Sequence, residues 1–276
     1  MAYDIACRLA DASSIRDRGW DHVTYIAVSS AVVAAKAGFE VLYLSGGALA
    51  NSLGLPDLGM TTLSELVQAA RSIVDGIKVP LIVDGDAGFG EAVNVMRLIR
   101  ELECLNVAAV HIEDQIMPKR CGHLSGKQVV SIDEMVKKIV AAKESSTEGI
   151  VFIARTDARS VEGLDAAINR GRVYFKAGAD VVFPEALESP QEFKEFAKKV
   201  DAPLMANMTE FGKTPYMKAS EFEKMGYKIV VFPMTAFRAM LKAVSDTYVD
   251  LKCFGTQEGM LDRLMTREET YQLIDY

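Results

Sequence analysis

One junction recurs along this chain and restricts its fold more than any other feature. Lys36-Ala37-Gly38 leads into Val41-Leu42-Tyr43, Lys176-Ala177-Gly178 into Val181-Val182-Phe183, and Lys224-Met225-Gly226 into Ile229-Val230-Val231. In each case a glycine able to take the left-handed conformation ends a helix, and a run of consecutive apolar residues follows. Continuous rather than alternating apolar runs belong to strands buried on both faces, which in turn means parallel strands covered by helices. Such runs occur at 23–28, 41–44, 81–84, 108–113, 150–155, 180–184, 203–207 and 229–233, eight in all. Between them the spacing is helical: Val93, Met96, Ile99, Leu102 and Leu105 share one face. Helix starts are marked by the S/T-x-x-E pairs Thr62/Glu65, Ser131/Glu134, Ser220/Glu223 and Thr266/Glu269, and by Ser189-Pro190. Eight strands alternating with helices predict an α/β fold, a closed (β/α)8 TIM-type barrel, rather than an open sheet. The 276 residues suffice for one such domain. No linker divides 1–276, and 1–20 and 241–276 read as an N-terminal helical arm and a C-terminal helical extension.

Acidic side chains outnumber basic ones, 38 to 31, which argues against nucleic acid as partner. Asp4 interrupts the N-terminus, and the uncharged stretch 23–35 is too short for a membrane span, so the expected location is the cytoplasm. The cysteines, Cys7, Cys104, Cys121 and Cys253, are scattered without CxxC spacing, as expected of reduced thiols. Cys7, Cys104 and Cys253 lie in helical or flanking segments and read as buried structural thiols.

In a barrel of this kind the chemistry sits where strands end. There the chain places Ser45-Gly46-Gly47, Asp84-Gly85-Asp86, Glu113-Asp114, Arg155-Thr156-Asp157, Glu185, and Asn207 with Thr209. A single Asp or Asn at a strand end also serves as a helix cap or turn residue, but six consecutive strands deliver polar groups to one rim. Asp84, Asp86 and Glu113 are hard oxygen donors suited to Mg²⁺, with Mn²⁺ the alternative. Asp84 is the expected direct ligand, with Asp86 and Glu113 acting directly or through water. The loop Lys119-Arg120-Cys121-Gly122-His123 sets two cations and a histidine around one thiol, which favours thiolate and predicts proton exchange near neutral pH. His111 lies inside a strand run and reads as a core or supporting histidine; His22 has no constellation around it.

KRCGH after a strand ending HIEDQ, with VDGDAGFG and YLSGG upstream, resembles the isocitrate lyase and phosphoenolpyruvate mutase superfamily, and within it most closely the 2-methylisocitrate lyases. The similarity runs from about residue 24 to 276 and includes SLGLPDLG, ARTDARSVEGLDAAI, FPEA, ANMTEFGKTP, PMTAFRAM and GTQ. The resemblance implies a homotetramer with a C-terminal helix exchanged between subunits, and Mg²⁺-dependent cleavage of a hydroxy-tricarboxylate to pyruvate and succinate. Ser45, Gly46 and Gly47 would hold one carboxylate, Arg120, Gly122, Arg155, Asn207 and Thr209 the remainder of the substrate, and Glu185 would order the cation-rich site. Cys121 would be the general acid, supported by Lys119 and His123, while Asp57 and Tyr43 are the candidates for the base. Isocitrate, dimethylmalate and oxaloacetate are the alternative substrates within the superfamily, and a non-catalytic carboxylate-binding barrel is the alternative of a different class. Phosphonate mutases of the superfamily lack the KRCGH thiol.

Overall fold

A computed structural model describes residues 20–24 and 28–276. Eight parallel strands, β1 (Trp20–Thr24), β2 (Leu42–Leu44), β3 (Leu81–Asp84), β4 (Ala109–Glu113), β5 (Val151–Thr156), β6 (Val181–Pro184), β7 (Leu204–Asn207) and β8 (Tyr227–Phe232), pair in sequence order and close, β8 against β1, into a barrel. The expected (β/α)8 architecture is therefore the observed one. The three junction glycines have φ of 97° at Gly38, 114° at Gly178 and 97° at Gly226, the left-handed region that an L side chain would strain. Thr62, Ser131 and Thr266 form the expected reciprocal capping boxes, and Ser189 caps the helix that begins at Pro190.

Two expectations shift. The first strand is Trp20–Thr24, earlier than 23–28, and Val28 already opens the helix Val28–Lys36. The register explains the difference: Trp20 to Val23 pair with Ile229 to Phe232, so Asp21 and His22 belong to a strand whose polar letters hid it from an apolar scan. The helix expected to start at Ser220 runs Ala219–Lys224 and is capped from Lys218, whose N–H donates to Glu221 (2.8 Å), so the Ser220/Glu223 box does not form. The expected arm at 1–20 lies outside the described residues except for Trp20. The closing helix begins at Thr235 and runs to Phe254, followed by a 3₁₀ turn Glu258–Arg263 and a helix Arg267–Leu273.

Side chains alternate across each strand, and here both sides are apolar. Val41, Tyr43, Ile82, Ala109, Val151, Ile153, Val181, Phe183, Met205, Ile229 and Val231 pack together as the barrel interior. Leu42, Leu44, Leu81, Val83, Val110, Ile112, Phe152 and Ala154 face outward against the helices, as do Val182, Leu204, Ala206 and Val230. This two-residue period positions the site. Continuing the inward set toward each strand's C-terminal end gives Ser45, Asp84, His111 and Glu113, then Arg155 and Asp157, Glu185, and Asn207 and Thr209. Among the described residues no helix is long and apolar enough to cross a membrane.

Candidate active site

At the C-terminal mouth of the barrel lies a cavity of about 250 Å³. Tyr43, Ser45, Gly47, Asp57, Asp84, Lys119, Cys121, Gly122, His123, Arg155, Glu185, Asn207 and Thr209 all line it. The thiol and the carboxylate chosen as metal ligand thus share one chamber. Asn51, Leu124, Phe183, Glu210, Phe211, Gly212, Pro233, Met234 and Arg238 complete the wall. Sequence reasoning did not select Glu210 and Arg238, which form an ion pair (2.7 Å); the signal available was PMTAFRAM immediately after β8.

The centre is an array of paired charges. Arg155, at the end of β5, faces three carboxylates: Asp157 (Nε to Oδ2 2.9 Å, Nη2 to Oδ1 3.2 Å), Glu113 (Nη1 to Oε2 3.1 Å) and Glu185 (Nε to Oε2 3.6 Å). Burial alone would push the carboxyls of Asp157 and Glu185 up, but the Arg155 guanidinium holds both below the usual carboxylate range, helped by Lys127 and, at Glu185, by His123. Burial prevails at Glu113, whose carboxyl is raised well above its ordinary value despite Arg155 and Lys119. Asn207 Nδ2 donates to both oxygens of Glu185 at 3.3 Å, and His123 Nε2 stands 3.1 Å from Glu185 Oε1.

Asp84 Oδ2 accepts the Gly46 N–H at 3.0 Å and the Tyr43 hydroxyl at 3.3 Å. Against the cost of burial, the positive charge of His111 where it is protonated in acid, then of Lys119 and Arg155, brings its carboxyl down to about 2, so it is ionised throughout the neutral range. The Gly46 N–H is engaged by this contact and is not free to receive a substrate carboxylate as expected. Asp86 lies 2.7 Å from Lys119, yet burial and the nearby negative charge of Asp84 push it up to about 6. Lys119 also binds Asp57.

Several expectations are corrected by these pairings. Asp84, Asp86 and Glu113 do not converge as a three-carboxylate ligand set; among the described residues no three His, Cys, Asp or Glu side chains do. Lys119 has drawn Asp86 aside and Arg155 has drawn Glu113, leaving Asp84 as the carboxylate of the three that lines the cavity. Asp86 Oδ1 is ion-paired with Lys119 and Glu113 Oε2 with Arg155, while Glu113 Oε1 is buried without a hydrogen-bond partner among the described residues. Arg120 is exposed and does not line the cavity; its backbone is instead clamped by the Gln115 side chain, N–H to Oε1 at 3.0 Å and C=O to Nε2 at 2.8 Å. Cys104 and Cys253 are exposed, not buried.

The thiol itself reverses the electrostatic expectation. Burial, reinforced by the negative charge of Asp57, pushes the Cys121 thiol above its ordinary value. The cations beside it in sequence are spent on carboxylates or turned to solvent, so Cys121 is a neutral thiol at neutral pH. Tyr43 is likewise held protonated by burial and by Asp84. Its hydroxyl lies 2.7 Å from His111 Nε2, with the rings stacked at 5.7 Å, and burial brings His111 down to about 4. His111 is therefore the neutral supporting residue expected, and Tyr43 is a hydrogen-bond donor rather than a base.

A closed parallel barrel with ionised carboxylates, a buried arginine and a neutral thiol around one mouth defines a (β/α)8 barrel of the enzyme type. Residues 20–252 match the family model described as phosphoenolpyruvate phosphomutase. The chain belongs to this family, in its 2-methylisocitrate lyase group. It is 54% identical to the 2-methylisocitrate lyase of Aeropyrum pernix, over 89% of this chain and 80% of that one, and 50% identical to that of Bacillus subtilis, over 90% and 82%. Among solved structures, a 2,3-dimethylmalate lyase of the PEP mutase/isocitrate lyase superfamily superposes with a TM-score of 0.92 at 35% identity, covering 98% of this chain and 91% of that one. A phosphonopyruvate hydrolase in complex with oxalate and Mg²⁺ gives 0.87 at 28%, covering 99% and 95%.

Proposed function

We propose that this chain is a carbon–carbon lyase that cleaves 2-methylisocitrate to pyruvate and succinate. The observation that carries the reading is the shared cavity: a neutral thiol, an ionised Asp84 and the Arg155 guanidinium all line it. The activity named for the relatives of Aeropyrum pernix and Bacillus subtilis is the one assigned to this chain.

The donor set fits Mg²⁺, with Mn²⁺ the alternative. A hard ion of this kind keeps several waters and needs only one or two protein carboxylates plus substrate oxygens. Asp84, the carboxylate of the three that lines the cavity, would hold it directly, with water and substrate oxygens completing its shell. When bound, the ion supplies Lewis-acid polarisation of substrate oxygen.

The chain's own groups do the remaining work. Arg155, Asn207, Thr209, Ser45 and the Gly47 backbone receive the substrate carboxylates, the planar guanidinium matching their geometry. With Tyr43 held as a donor, Asp57 is the group left to take the proton of the substrate hydroxyl. The hydroxyl-bearing carbon becomes the keto carbon of pyruvate, and the electron pair of the broken C–C bond passes to the succinate carbon. That carbon takes its proton from Cys121 Sγ. A thiol kept neutral by burial serves this step better than a thiolate, because it arrives already carrying the proton. His123, tied to Glu185, and Lys119, tied to Asp57 and Asp86, hold the loop against the rim.

A homotetramer and a cytoplasmic location belong to the same proposal. The helix Thr235–Phe254 buries only Phe237 and exposes Leu241, Val244, Tyr248, Val249 and Phe254, a surface suited to a second copy. Purified protein assayed with 2-methylisocitrate, isocitrate and dimethylmalate, with and without chelator, tests the function. Pyruvate from 2-methylisocitrate, lost on chelation, is expected; faster turnover of either other acid would reassign the substrate, and no turnover of any would leave a binding barrel.

A further inference from the structure

One buried cation has no part in the chemistry above. Lys127, with its side chain 1% exposed, donates to Asp157 Oδ1 at 2.6 Å and to the carbonyl of Gly122, the residue after Cys121. It does not line the cavity. Burying an ammonium is costly unless it is paired and hydrogen-bonded, so this lysine is placed here for what it holds. Asp157 is fixed from the other side: its N–H donates to Asp114 Oδ1 (2.9 Å), while Asp114 Oδ2 accepts from Thr156 Oγ1 (2.8 Å), Tyr174 OH (2.8 Å) and Arg170 Nη1 (3.2 Å). An unbroken polar chain therefore runs from Arg170, behind the barrel, to the peptide beside the thiol.

The base of the loop is closed separately. Ile116 N–H donates to the Gln128 carbonyl (2.9 Å), Val130 N–H to the Asp114 carbonyl (2.8 Å), and Gln115 and Val129 form an antiparallel bridge. These bonds set where the loop leaves the barrel but not where its tip lies. At the tip, Gly122 packs so closely on Arg155 and Glu185 that an added Cβ would come within 2.6 Å of Arg155 Nη2 and 2.5 Å of Glu185 Cγ.

We propose that Lys127 is a positioning residue that latches the Cys121 loop to the end of β5, holding Gly122 against Arg155 and the thiol in the cavity wall. Its consequence for turnover rests on the reading of Cys121 as the proton donor, but the latch itself can be read without turnover. Lys119 and His123 tether the same loop, yet both line the cavity. Lys127 lies behind the wall and reaches the site only through Gly122 and Asp157. Asp157 keeps its two bonds to Arg155 when Lys127 is removed, so Lys127→Met leaves no unpaired carboxylate.

The test is the rate at which iodoacetamide labels Cys121 in the ligand-free protein, resolved by peptide mass spectrometry, with the exposed Cys104 and Cys253 as internal references. Lys127→Met and Asp157→Asn are each expected to label about tenfold faster at Cys121 alone, which is what losing one charge-assisted hydrogen bond confers on an open state. In Lys127→Met, kcat should fall more than KM rises. Unchanged labelling at Cys121 in either folded variant would overturn the latch. Equal acceleration at all three cysteines, or failure of both variants to fold, would make the pair a fold-stabilising contact and overturn it as well. Inactive wild-type protein would sink the proposed reaction while leaving the labelling result intact.

Discussion

Replacing Arg155 by methionine removes one cation from among three buried carboxylates, and the structure fixes both the size and the pH dependence of the result. Asp157 keeps Lys127 and Glu185 keeps His123, but both lose the guanidinium that holds them ionised, and Glu113 loses its direct partner. Breaking a buried pair from one side costs about 3–5 kcal/mol. At roughly 2–4 °C per kcal/mol for a domain near this size, the melting temperature should fall by about 6–20 °C. In the wild type, Asp157 and Glu185 are depressed below the ordinary carboxylate range. Their stabilisation is complete above that range and is lost only as pH falls through the depressed values. Without the guanidinium, burial acts with less opposition and all three carboxyls move up, so the variant's folded state takes up protons as pH is lowered. Its deficit is therefore largest at about pH 8 and narrows toward about pH 5. Thermal melts of both proteins across that interval measure it. A deficit that is constant or grows in acid would refute the charge account and leave only lost packing over the Phe183 ring, 5.5 Å from the guanidinium.

Two further outcomes follow from the same site. Because burial raises Cys121 and the working form of an acid is the protonated one, kcat/KM should persist through the ordinary thiol range and decline only above it; a basic limb near neutrality would contradict the neutral thiol. Gly122→Ala must displace Glu185 or Arg155, whose atoms lie 2.5 and 2.6 Å from the new Cβ, so kcat/KM should drop by about a hundredfold with the fold retained, measured by pyruvate release and circular dichroism.

Particular residues show what could be read from the chain alone. Gly38, Gly178 and Gly226 announced the helix-to-strand joints because a left-handed residue is a local demand, visible without any tertiary information. The rim was legible for a similar reason. Strand side chains alternate, so once Tyr43, Ile153 and Phe183 are inward, Ser45, Arg155 and Glu185 must be inward too. Pairing was not legible. Lys119, Arg120 and Cys121 are adjacent in sequence, yet Lys119 turns to Asp57 and Asp86, Arg120 to solvent, and Cys121 to the cavity. Adjacent letters suggested an activated thiolate; the loop's geometry leaves the thiol neutral. Asp86 and Glu113 read as ligands by type, and what diverted them, Lys119 and Arg155, comes from other strands and loops.

The most direct measurement is turnover of 2-methylisocitrate by Cys121→Ser beside the wild type, with Mg²⁺ present. A hydroxyl in place of the thiol leaves the carboxylate contacts intact but is a far weaker acid, so kcat should fall roughly a hundredfold to ten-thousandfold with KM little changed. A serine variant that releases pyruvate at the wild-type rate would show that the proton reaches succinate from another group.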